Sequence, residues 1–467
     1  MKILVAIASY GTRNDRYLAR IIEEYRSMSF EVDIVVLSNI SKQTAAGVEL
    51  LVGLPTKNPW SLPFGHKKLF ADRIERYDLF IYSEDDTMIT ERNIRAFCSV
   101  TSLLPDAEIA GLFRFERDES GNVNYPEIHG HFHWNPQSVR SRGGYTLAHF
   151  TNEHSACYIV TQRQLRFAIN SGGFLVGTHE GKYDMLCTAA TDPYTQCGLQ
   201  RLICISHIDE FLVEHLSSKY IGSRFGVNDV EFRRQIEVLL KLQDENTWNG
   251  SLLRTETRLK SQAYSKDFYT PVCPDIIAAI PKSIRNVLSI GCGWGAIEGK
   301  LLEMGMRVVA VPLDCVISGA AAARGVEIIN GDFSMARNKL SRERFDCLLL
   351  DNVLHLVEDP VSVLSSFGEL LDDSASVYIV IPNMFRLSFL RWKLLGDDPY
   401  RGSNSYERNG THFSSQRIIR KWLKYAGIKH ERTMGLMGPR AQRASRLTFG
   451  LMDSLLHSEL LAIATKR

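Results

Sequence analysis

Three adjacent carboxylates, Glu84, Asp85 and Asp86, have the residue types and the position that metal chemistry requires. They directly follow the apolar run from Leu79 to Tyr82, which is predicted to be a buried strand. Neighbouring carboxylates at the end of a buried strand are costly unless a cation neutralises them. Hard divalent ions take oxygen ligands and bridge to diphosphates. The acidic residues therefore predict a divalent metal site.

A second group consists of three glycines, Gly291, Gly293 and Gly295. They lie between the apolar run 287–290 and a helix predicted over 296–303. Glycines at a strand-to-helix turn let the backbone approach a ligand that a side chain would exclude. Three spaced glycines alone are a weak signal, so the flanking strand and helix give this motif its weight. The pattern predicts a cofactor-binding turn.

Alternating strands and helices must position both groups. Buried strands are predicted over 3–8, 32–37, 79–82, 157–160, 287–290, 308–311, 345–350 and 377–381, and helices over 17–28, 67–76 and 229–243. This order predicts α/β folds whose parallel sheets bind ligands at the carboxyl ends of their strands. A polar stretch from Glu245 to Lys266 separates the two halves, so the chain is divided into a domain over 1–245 and a linker with a second domain over 246–467.

Length and composition limit the class of protein. The 467 residues exceed one ordinary hydrophobic core, which supports two domains. A net charge of +2 argues against a nucleic-acid partner. Nine cysteines without a C-x-x-C pair indicate a reducing compartment, so a cytoplasmic location is expected. No apolar run reaches the roughly 18 residues of a transmembrane helix, and the run at the N-terminus is interpreted as a strand rather than a signal peptide.

The acidic motif and the strand before it resemble the D-x-D-type motif of GT-A glycosyltransferases, over roughly residues 1–225. The resemblance implies that Glu84 and Asp86 hold Mn²⁺ or Mg²⁺ against the diphosphate of a nucleotide sugar, with His215 as an additional ligand. It also implies that Tyr10 meets the nucleotide base and that Lys67 meets phosphate. From the residues alone, the alternative is an exposed acidic turn that caps the helix beginning near residue 90.

The sequence defines the saccharide acceptor side less sharply. An inverting transfer needs a carboxylate base, for which Glu153, Glu180 and Asp184 are candidates; Glu180 and Asp184 are four residues apart and are predicted to share a helix face. Three histidines at alternate positions, 129, 131 and 133, fall on one face of a predicted strand. Since no second ligand group with zinc-like spacing follows, we interpret them as a wall for the acceptor sugar.

Residues 287–295 resemble motif I of class I S-adenosylmethionine-dependent methyltransferases, and the resemblance covers about 251 to 467. It implies that Asp332 and Phe333 contact adenine, that 345–360 form the fourth strand and its loop, and that 380–383 end the fifth strand. Segments 394–396 and 411–413 resemble an insert of methyltransferases encoded with surface-glycan pathways. The lead-in segment, residues 264–279, resembles a segment that closes over the cofactor. The alternative is a generic dinucleotide fold that binds NAD(P). The residue types at 292–295 and 331–333 and the Pro382-Asn383 strand end argue against this alternative.

Two positions depart from the methyltransferase pattern. Pro312 stands where an acidic residue usually grips the ribose, which leaves Asp314, two residues later, as the candidate. The arginine expected after His412 is absent. A hydroxyl acceptor benefits from a base, and His355 and His412 are the candidates.

The two resemblances together predict a bifunctional glycan enzyme. The first domain is expected to transfer a sugar from a nucleotide sugar to a saccharide, and the second to O-methylate a saccharide with S-adenosylmethionine, in surface-polysaccharide synthesis and with peripheral contact to a membrane-linked glycan. Two alternatives stay open. One is a methyltransferase that carries a non-catalytic carbohydrate-binding domain. The other is a glycosyltransferase whose second domain is only a scaffold, because the departure at Pro312 has abolished cofactor binding.

Overall fold

The structure is a computed structural model that describes residues 1–127, 132–222, 225–243, 248–259, 262–386, 405–447 and 453–467. It divides into two compact units, Met1–Glu245 and Asn246–Arg467. All nine cysteines lie in the described ranges and are free thiols. Among the helices of these ranges, none combines the length and the apolar character needed to cross a lipid bilayer.

The first unit alternates strands and helices around a parallel sheet. Its strands are β1 (Lys2–Ser9), β2 (Glu31–Ser38), β3 (Glu49–Val52), β4 (Leu79–Glu84), β5 (Thr87–Met88), β6 (Glu108–Ala110), β7 (Phe113–Arg117), β8 (Val123–Glu127), β9 (Trp134–Arg142), β10 (Tyr145–Phe150), β11 (Cys157–Thr161), β12 (Gln200–Cys204), β13 (Leu212–His215) and β14 (Phe225–Asn228). Its helices are α1 (Asp15–Ser27), α2 (Gly65–Asp72), α3 (Glu91–Thr101), α4 (Gln162–Asn170), α5 (Met185–Thr195) and α6 (Asp229–Lys241).

The central sheet of this unit has the order β3-β2-β1-β4-β11, in which only β11 is antiparallel to its neighbour. Residues Ile3 to Ile7 of β1 are fully buried, as expected for a parallel strand with both faces covered. From β1 the chain continues to β2 and β3 on one side and to β4 on the other. The crevice between the carboxyl ends of β1 and β4 is therefore the switch point at which open α/β sheets bind ligands.

Two smaller sheets complete the first unit, in the orders β6-β12-β10-β9 and β14-β8-β7-β13-β5. The second of these matters for the site, because β13 pairs with β5 directly after the acidic residues. In this pairing His215 lies opposite Thr87, and the Leu216 backbone N–H donates to the Asp86 carbonyl at 2.7 Å. The short β5 thus brings the end of β13 beside the acidic turn.

The second unit is built on one larger sheet. Its strands are β15 (Asn286–Cys292), β16 (Arg307–Pro312), β17 (Glu327–Ile328), β18 (Phe345–Asp351), β19 (Leu371–Pro382), β20 (Ile428–Leu436) and β21 (Glu459–Lys466). Its helices are α7 (Pro274–Ala279), α8 (Ala296–Glu303), α9 (Cys315–Ala322), α10 (Phe333–Lys339), α11 (Pro360–Gly368), α12 (Ser405–Asn409), α13 (Gln416–Tyr425), α14 (Pro439–Leu447) and α15 (Asp453–Leu456).

The seven strands of this sheet follow the order β17-β16-β15-β18-β19-β21-β20. All are parallel except β21, which is antiparallel to both of its neighbours. Both faces are covered, because Val308 and Ala310 belong to one apolar core and Val309 and Val311 to another. The chain turns from one side of the sheet to the other between β15 and β18. Their carboxyl ends, with the glycine turn and Asp351, form the switch point of this unit.

The α/β prediction is confirmed, and each predicted strand is present and somewhat longer than predicted. The predicted helix over 67–76 is wrong at its end, because α2 stops at Asp72 and residues Ile74–Arg76 form a separate 3₁₀ turn. The amphipathic pattern of residues 67–76 runs from the α-helix into the 3₁₀ turn, and the spacing of apolar residues does not distinguish the two helix types.

Candidate functional sites

The acidic turn of the first unit is tied to the end of β1. Asp85 accepts a hydrogen bond from the Ser9 hydroxyl at 2.6 Å and from the Asn14 side-chain amide at 2.7 Å. Asp85 and Asp86 are only 6% and 1% exposed. Thr90, not the acidic turn, caps α3 through its own side chain. The interpretation of this motif as an exposed helix cap is therefore wrong.

His215 joins the acidic turn to a further carboxylate. Its Nε2 lies 3.2 Å from Asp86 Oδ1 and its Nδ1 lies 2.5 Å from Glu116 Oε1. Burial by itself raises the pKa of Asp86, but the hydrogen bond from His215 and the nearby positive charges outweigh it and lower that pKa to about 2. Burial lowers the pKa of His215, but its two carboxylate partners outweigh burial and raise it. Asp86 and His215 thus form a buried carboxylate–imidazole pair in which each favours the charged form of the other.

Carboxylate oxygens are the ligands that a hard divalent cation prefers. Burial raises the pKa of Glu84 to about 7 and that of Asp85 to about 6, and a bound cation would favour their charged forms. The remaining predicted ligand, His215, has both ring nitrogens engaged by carboxylates. In the described part of the chain, no group of three or more His, Cys, Asp or Glu side chains is arranged to hold a metal. The metal site with Glu84, Asp86 and His215 stays a prediction.

The two predicted nucleotide contacts of the first unit, Tyr10 and Lys67, lie in different environments. Tyr10 is 52% exposed, directly after β1 and beside the crevice. Lys67 is 2% exposed, and its ammonium pairs with the buried carboxylate of Asp192 and lies 4.4 Å from the Phe64 ring centroid. The pairing with Asp192 disfavours a phosphate contact, and the assignment of Lys67 to phosphate stays a prediction.

The three predicted base residues do not form one group. Glu180 lies in a loop and Asp184 is the N-cap of α5, so the prediction that they share a helix face is wrong. Glu153 lies 3.0 Å from Lys182 Nζ and 3.4 Å from His149 Nε2. Burial alone raises the pKa of Glu153, but these two partners outweigh it and lower the pKa to about 2. A carboxylate in that state is a weak base.

The histidine wall is only partly described. His129 and His131 lie outside the described residues, as does the predicted insert segment 394–396. His133 is half-buried, and its Nδ1 lies 2.9 Å from the carbonyl of Trp134. An acceptor wall at this position therefore stays a prediction.

The glycine turn of the second unit is shaped by its neighbours. Gly291 and Gly295 have φ values of +77° and +81°, the left-handed region that favours glycine. A Cβ at Gly291 would collide with the side chain of Val353, and one at Gly295 would lie 2.6 Å from Ala321 Cβ. A Cβ at Gly293 would collide with the carbonyl oxygen of Phe268. Any side chain at these positions would push the neighbouring segments away from the turn.

The lead-in segment lies on this turn. The Trp294 backbone N–H donates to Phe268 O at 3.0 Å, and its indole N–H donates to Thr270 O at 2.8 Å. Lys266, 2% exposed, donates to the backbone carbonyl of Asp351 at 2.6 Å and lies 3.2 Å from its carboxylate. The space enclosed by these residues and the glycine turn is about 10 Å³, room for about one water molecule. The lead-in segment therefore packs closely against the glycine turn in this structure.

The two predicted acidic contacts of the second unit both cap helices. Asp314 is 1% exposed, and its Oδ1 accepts hydrogen bonds from the backbone N–H groups of Val316 and Ile317, both at 2.8 Å. A ribose contact from Asp314 is thus not supported by its placement, since helix α9 uses its carboxylate. Asp332 is exposed and caps α10. Phe333 is half-buried and packs edge-on against the Phe367 ring.

The two histidines proposed as methyl-acceptor bases have structural contacts instead. His355 is 1% exposed, donates from Nε2 to Tyr264 O at 2.9 Å, and has its pKa lowered to about 3 by burial. Burial and the Nε2 contact disfavour a base role for this residue, and the assignment of His355 as a base stays a prediction. His412 Nε2 lies 2.9 Å from Val357 O and 3.1 Å from Glu358 O, and its ring stacks on Tyr406. These contacts fix the loop that follows β18.

Several site residues were not found from the sequence. Asp351 directly follows the predicted strand 345–350. The acidic turn was found because its carboxylates follow a buried strand, and the same pattern indicates Asp351. Lys266 lies in an irregular segment without periodicity, and Asn14 precedes a helix that its side chain does not cap. Nothing in the local sequence indicates the partners of Lys266 or Asn14.

Comparison with known proteins places one family match inside the second unit. Residues 274–406 match the family described as "Methionine biosynthesis protein MetW". The chain is 26% identical over 188 residues to a "Ubiquinone biosynthesis O-methyltransferase" from Xylella fastidiosa (strain 9a5c), covering 38% of this chain and 75% of that protein. The protein of the same description from Pseudoalteromonas translucida is 24% identical over 188 residues, covering 38% and 78%.

Solved structures give matches of the same kind. An S-adenosylmethionine-dependent methyltransferase from Mesorhizobium loti has 16% sequence identity and a TM-score of 0.31, covering 41% of this chain and 96% of that one. Magnesium protoporphyrin IX methyltransferase from Synechocystis PCC 6803, solved with bound SAH, has 16% identity and a TM-score of 0.30, covering 42% and 80%. The sequence matches and the sheet order with its reversed β21 decide the fold.

The second unit has the class I methyltransferase fold. Within this methyltransferase unit, the glycine turn ends the first strand of the fold, β15, and Asp351 ends the strand beside it, β18. The lead-in segment, with Lys266, covers the position between them. The Mesorhizobium loti structure is described as S-adenosylmethionine-dependent, and the Synechocystis structure contains SAH.

Proposed function

We propose that the methyltransferase unit transfers the methyl group of S-adenosylmethionine to a hydroxyl group of a saccharide. The observation that carries this proposal is the convergence of the glycine turn Gly291–Gly295, Lys266 and Asp351 on one site between the ends of β15 and β18. Lys266 and Asp351 add one charge of each sign. The cofactor's carboxylate and ammonium groups require opposite charges of this kind. We infer that Lys266 and Asp351 hold the cofactor's amino-acid part.

When bound, S-adenosylmethionine would supply a methyl group activated by its sulfonium; S-adenosylhomocysteine would leave, and the hydroxyl proton would be released to solvent. The protein's part is then to position an acceptor oxygen in line and to exclude water. The Nε2 atoms of His355 and His412 point at backbone carbonyls, so neither of these atoms is available to accept the hydroxyl proton. The two histidines act by holding the loop after β18 in place.

Oxygen as the acceptor atom is supported by the names of the two sequence relatives, both of which specify O-methyl transfer. The saccharide part of the proposal follows from the first unit, for which we propose sugar transfer from a nucleotide sugar in surface-polysaccharide synthesis. Glu84, Asp85 and Asp86 support it, since they lie at the position where such sheets bind ligands. Two activities in one chain raise the effective concentration of a shared saccharide.

One observation favours a second candidate for the first unit, a carbohydrate-binding domain without catalysis. His215, which the metal site would use, bridges Asp86 and Glu116 instead. A metal would have to displace one of these carboxylates from the imidazole. If it does not, the first unit presents a saccharide to the methyltransferase unit and transfers nothing.

A thermal-shift experiment on the full chain tests these proposals. S-adenosylhomocysteine at 100 times its Kd stabilises the native state by about 2.7 kcal/mol, which raises the Tm of a unit of this size by roughly 5–10 °C. We expect Lys266→Met to lose this shift and Lys300→Met, at an exposed lysine of α8, to keep it. An unshifted wild-type protein would contradict cofactor binding.

The same experiment separates the two candidates for the first unit. UDP, GDP and CMP are added with and without Mn²⁺, to wild type and to Asp86→Ala. A nucleotide shift that needs both Mn²⁺ and Asp86 supports sugar transfer and identifies the base of the donor. No nucleotide shift under any of these conditions favours the non-catalytic candidate.

A further inference from the structure

Arg114 is a largely buried cation that forms no ion pair with the described residues. It lies in β7 and is 7% exposed. Across the described ranges, its guanidinium donates no hydrogen bond and forms no ion pair; its contact is with the face of Tyr220, whose ring centroid lies 5.4 Å from Cζ. A charge held out of water in this way is costly unless an anion or hydrogen-bond acceptors compensate it.

Arg201 shows how this unit satisfies a buried arginine. It is 2% exposed, and its Nη1 donates to the Asn152 carbonyl at 2.7 Å while its Nη2 donates to the Leu112 carbonyl and reaches the Ser155 hydroxyl. Arg201 therefore holds loops together. Among the described residues, Arg114 has no such acceptors, so a structural role of the same kind does not explain it.

The position of Arg114 connects it to the acidic crevice. Alternation along β7 places Arg114 and Glu116 on the same face, and Glu116 holds the His215 ring that reaches Asp86. The His215 ring also stacks on Tyr220, with centroids 5.4 Å apart and planes at 9°. The same tyrosine ring thus contacts both the imidazole and the guanidinium.

A second cation lies at this wall of the crevice. Lys219 Nζ is 3.6 Å from Asp86 Oδ2 and 5.0 Å from the centroid of the Tyr220 ring. Its side chain is 41% exposed, so it is the more hydrated of the two charges. The crevice therefore carries three carboxylates on one side and two cations beside them.

We propose that Arg114 binds phosphate oxygens of the nucleoside diphosphate taken by the first unit, with Lys219 as a second phosphate contact. This inference rests on the proposed function of that unit, and it adds the residue that recognises the diphosphate. A guanidinium presents a planar fork of donors that matches two phosphate oxygens. A divalent cation on the carboxylates and Arg114 beside them would together balance the charge of a diphosphate.

Isothermal titration calorimetry on the full chain tests the inference. The probes are inorganic phosphate, pyrophosphate, UDP, GDP and CMP, each with and without Mn²⁺. Wild type is compared with Arg114→Gln, Arg114→Lys and the control Arg117→Gln, which removes an exposed charge from the same strand. Loss of a charge-assisted hydrogen-bond pair predicts binding about 10- to 100-fold weaker in Arg114→Gln, a smaller loss in Arg114→Lys, and about the wild-type Kd in Arg117→Gln.

The melting temperature of each ligand-free variant separates this role from a structural one. If Arg114 forms an anion site, its uncompensated charge destabilises the ligand-free protein. Arg114→Gln is then expected to melt at or above the wild-type temperature. A lower melting temperature together with unchanged pyrophosphate and nucleotide affinity would show that Arg114 only supports the fold.

Each outcome bears on a different proposal. If wild type binds a nucleotide diphosphate and Arg114→Gln binds it equally well, the inference is overturned while sugar-nucleotide binding stands. If pyrophosphate binds through Arg114 but no nucleotide binds with or without Mn²⁺, the anion site stands and the sugar-transfer proposal fails. If wild type binds none of the probes, both are overturned.

Discussion

The buried histidine of the methyltransferase unit, His355, should make this protein sensitive to acid. Burial lowers its pKa from the ordinary 6.5 to about 3. Below pH 6.5 the unfolded chain therefore takes up a proton at this residue that the folded chain excludes. Stability is present in full above pH 6.5 and is lost progressively as the pH falls towards 3.

The size of this effect follows from the pKa difference. A difference between 6.5 and about 3 corresponds to a loss of about 5 kcal/mol once the pH falls below 3, and of about 2 kcal/mol at pH 5. His355→Gln removes the titrating group and keeps an N–H donor for Tyr264 O, 2.9 Å from Nε2 in wild type. The variant should therefore lose about 2 kcal/mol less than wild type between pH 7.5 and pH 5.

Urea unfolding of both proteins at pH 7.5, 6.5, 5.5 and 5 measures this difference. Other buried histidines, such as His66 and His154, also have their pKa lowered to about 3 by burial, and they contribute equally to both proteins. Their effect cancels when the two stability profiles are subtracted. Parallel profiles for wild type and His355→Gln across this pH range would refute the reasoning.

Three further predictions concern stability, each measured by urea unfolding. Lys67→Met should cost about 3–5 kcal/mol because it leaves Asp192 charged and buried, and Lys67→Met/Asp192→Leu should recover most of it; a single variant as stable as wild type would contradict the ion pair. Gly291→Ala should cost about 2–5 kcal/mol from its φ of +77° and its collision with Val353, against about 1–2 kcal/mol for Gly305→Ala, which has open space; equal losses would argue against the collision. Thr90→Ala should cost about 1 kcal/mol by removing the cap of α3, and no loss would mean that Asn93 suffices.

The strands could be predicted from the sequence because burial on both faces leaves a direct signature in a parallel sheet. Runs such as Val308 to Val311 are apolar at every position, and each corresponds to a strand of the structure. The acidic and glycine turns were found for the same reason, since both directly follow such a run. Position at a strand end is a local property of the chain.

The partners of individual side chains could not be predicted in this way. Lys67 is separated by 125 residues from Asp192, and His355 by 91 residues from Tyr264. A lysine in an ion pair and a lysine on phosphate look alike in sequence, because the difference lies in which distant element packs beside them. The sugar-transfer activity and the metal site depend on such partners and stay predictions.

The strand order of the methyltransferase unit has a consequence for how this domain is made. Strand β21 is synthesised after β20, yet it lies between β19 and β20 and pairs with both. Until residues 459–466 have left the ribosome, β19 and β20 each present an unpaired edge that can join strands of another chain. A ribosome that stalls shortly before these residues would therefore hold an aggregation-prone nascent chain. Chaperone binding to the nascent chain should be highest at this stage of synthesis.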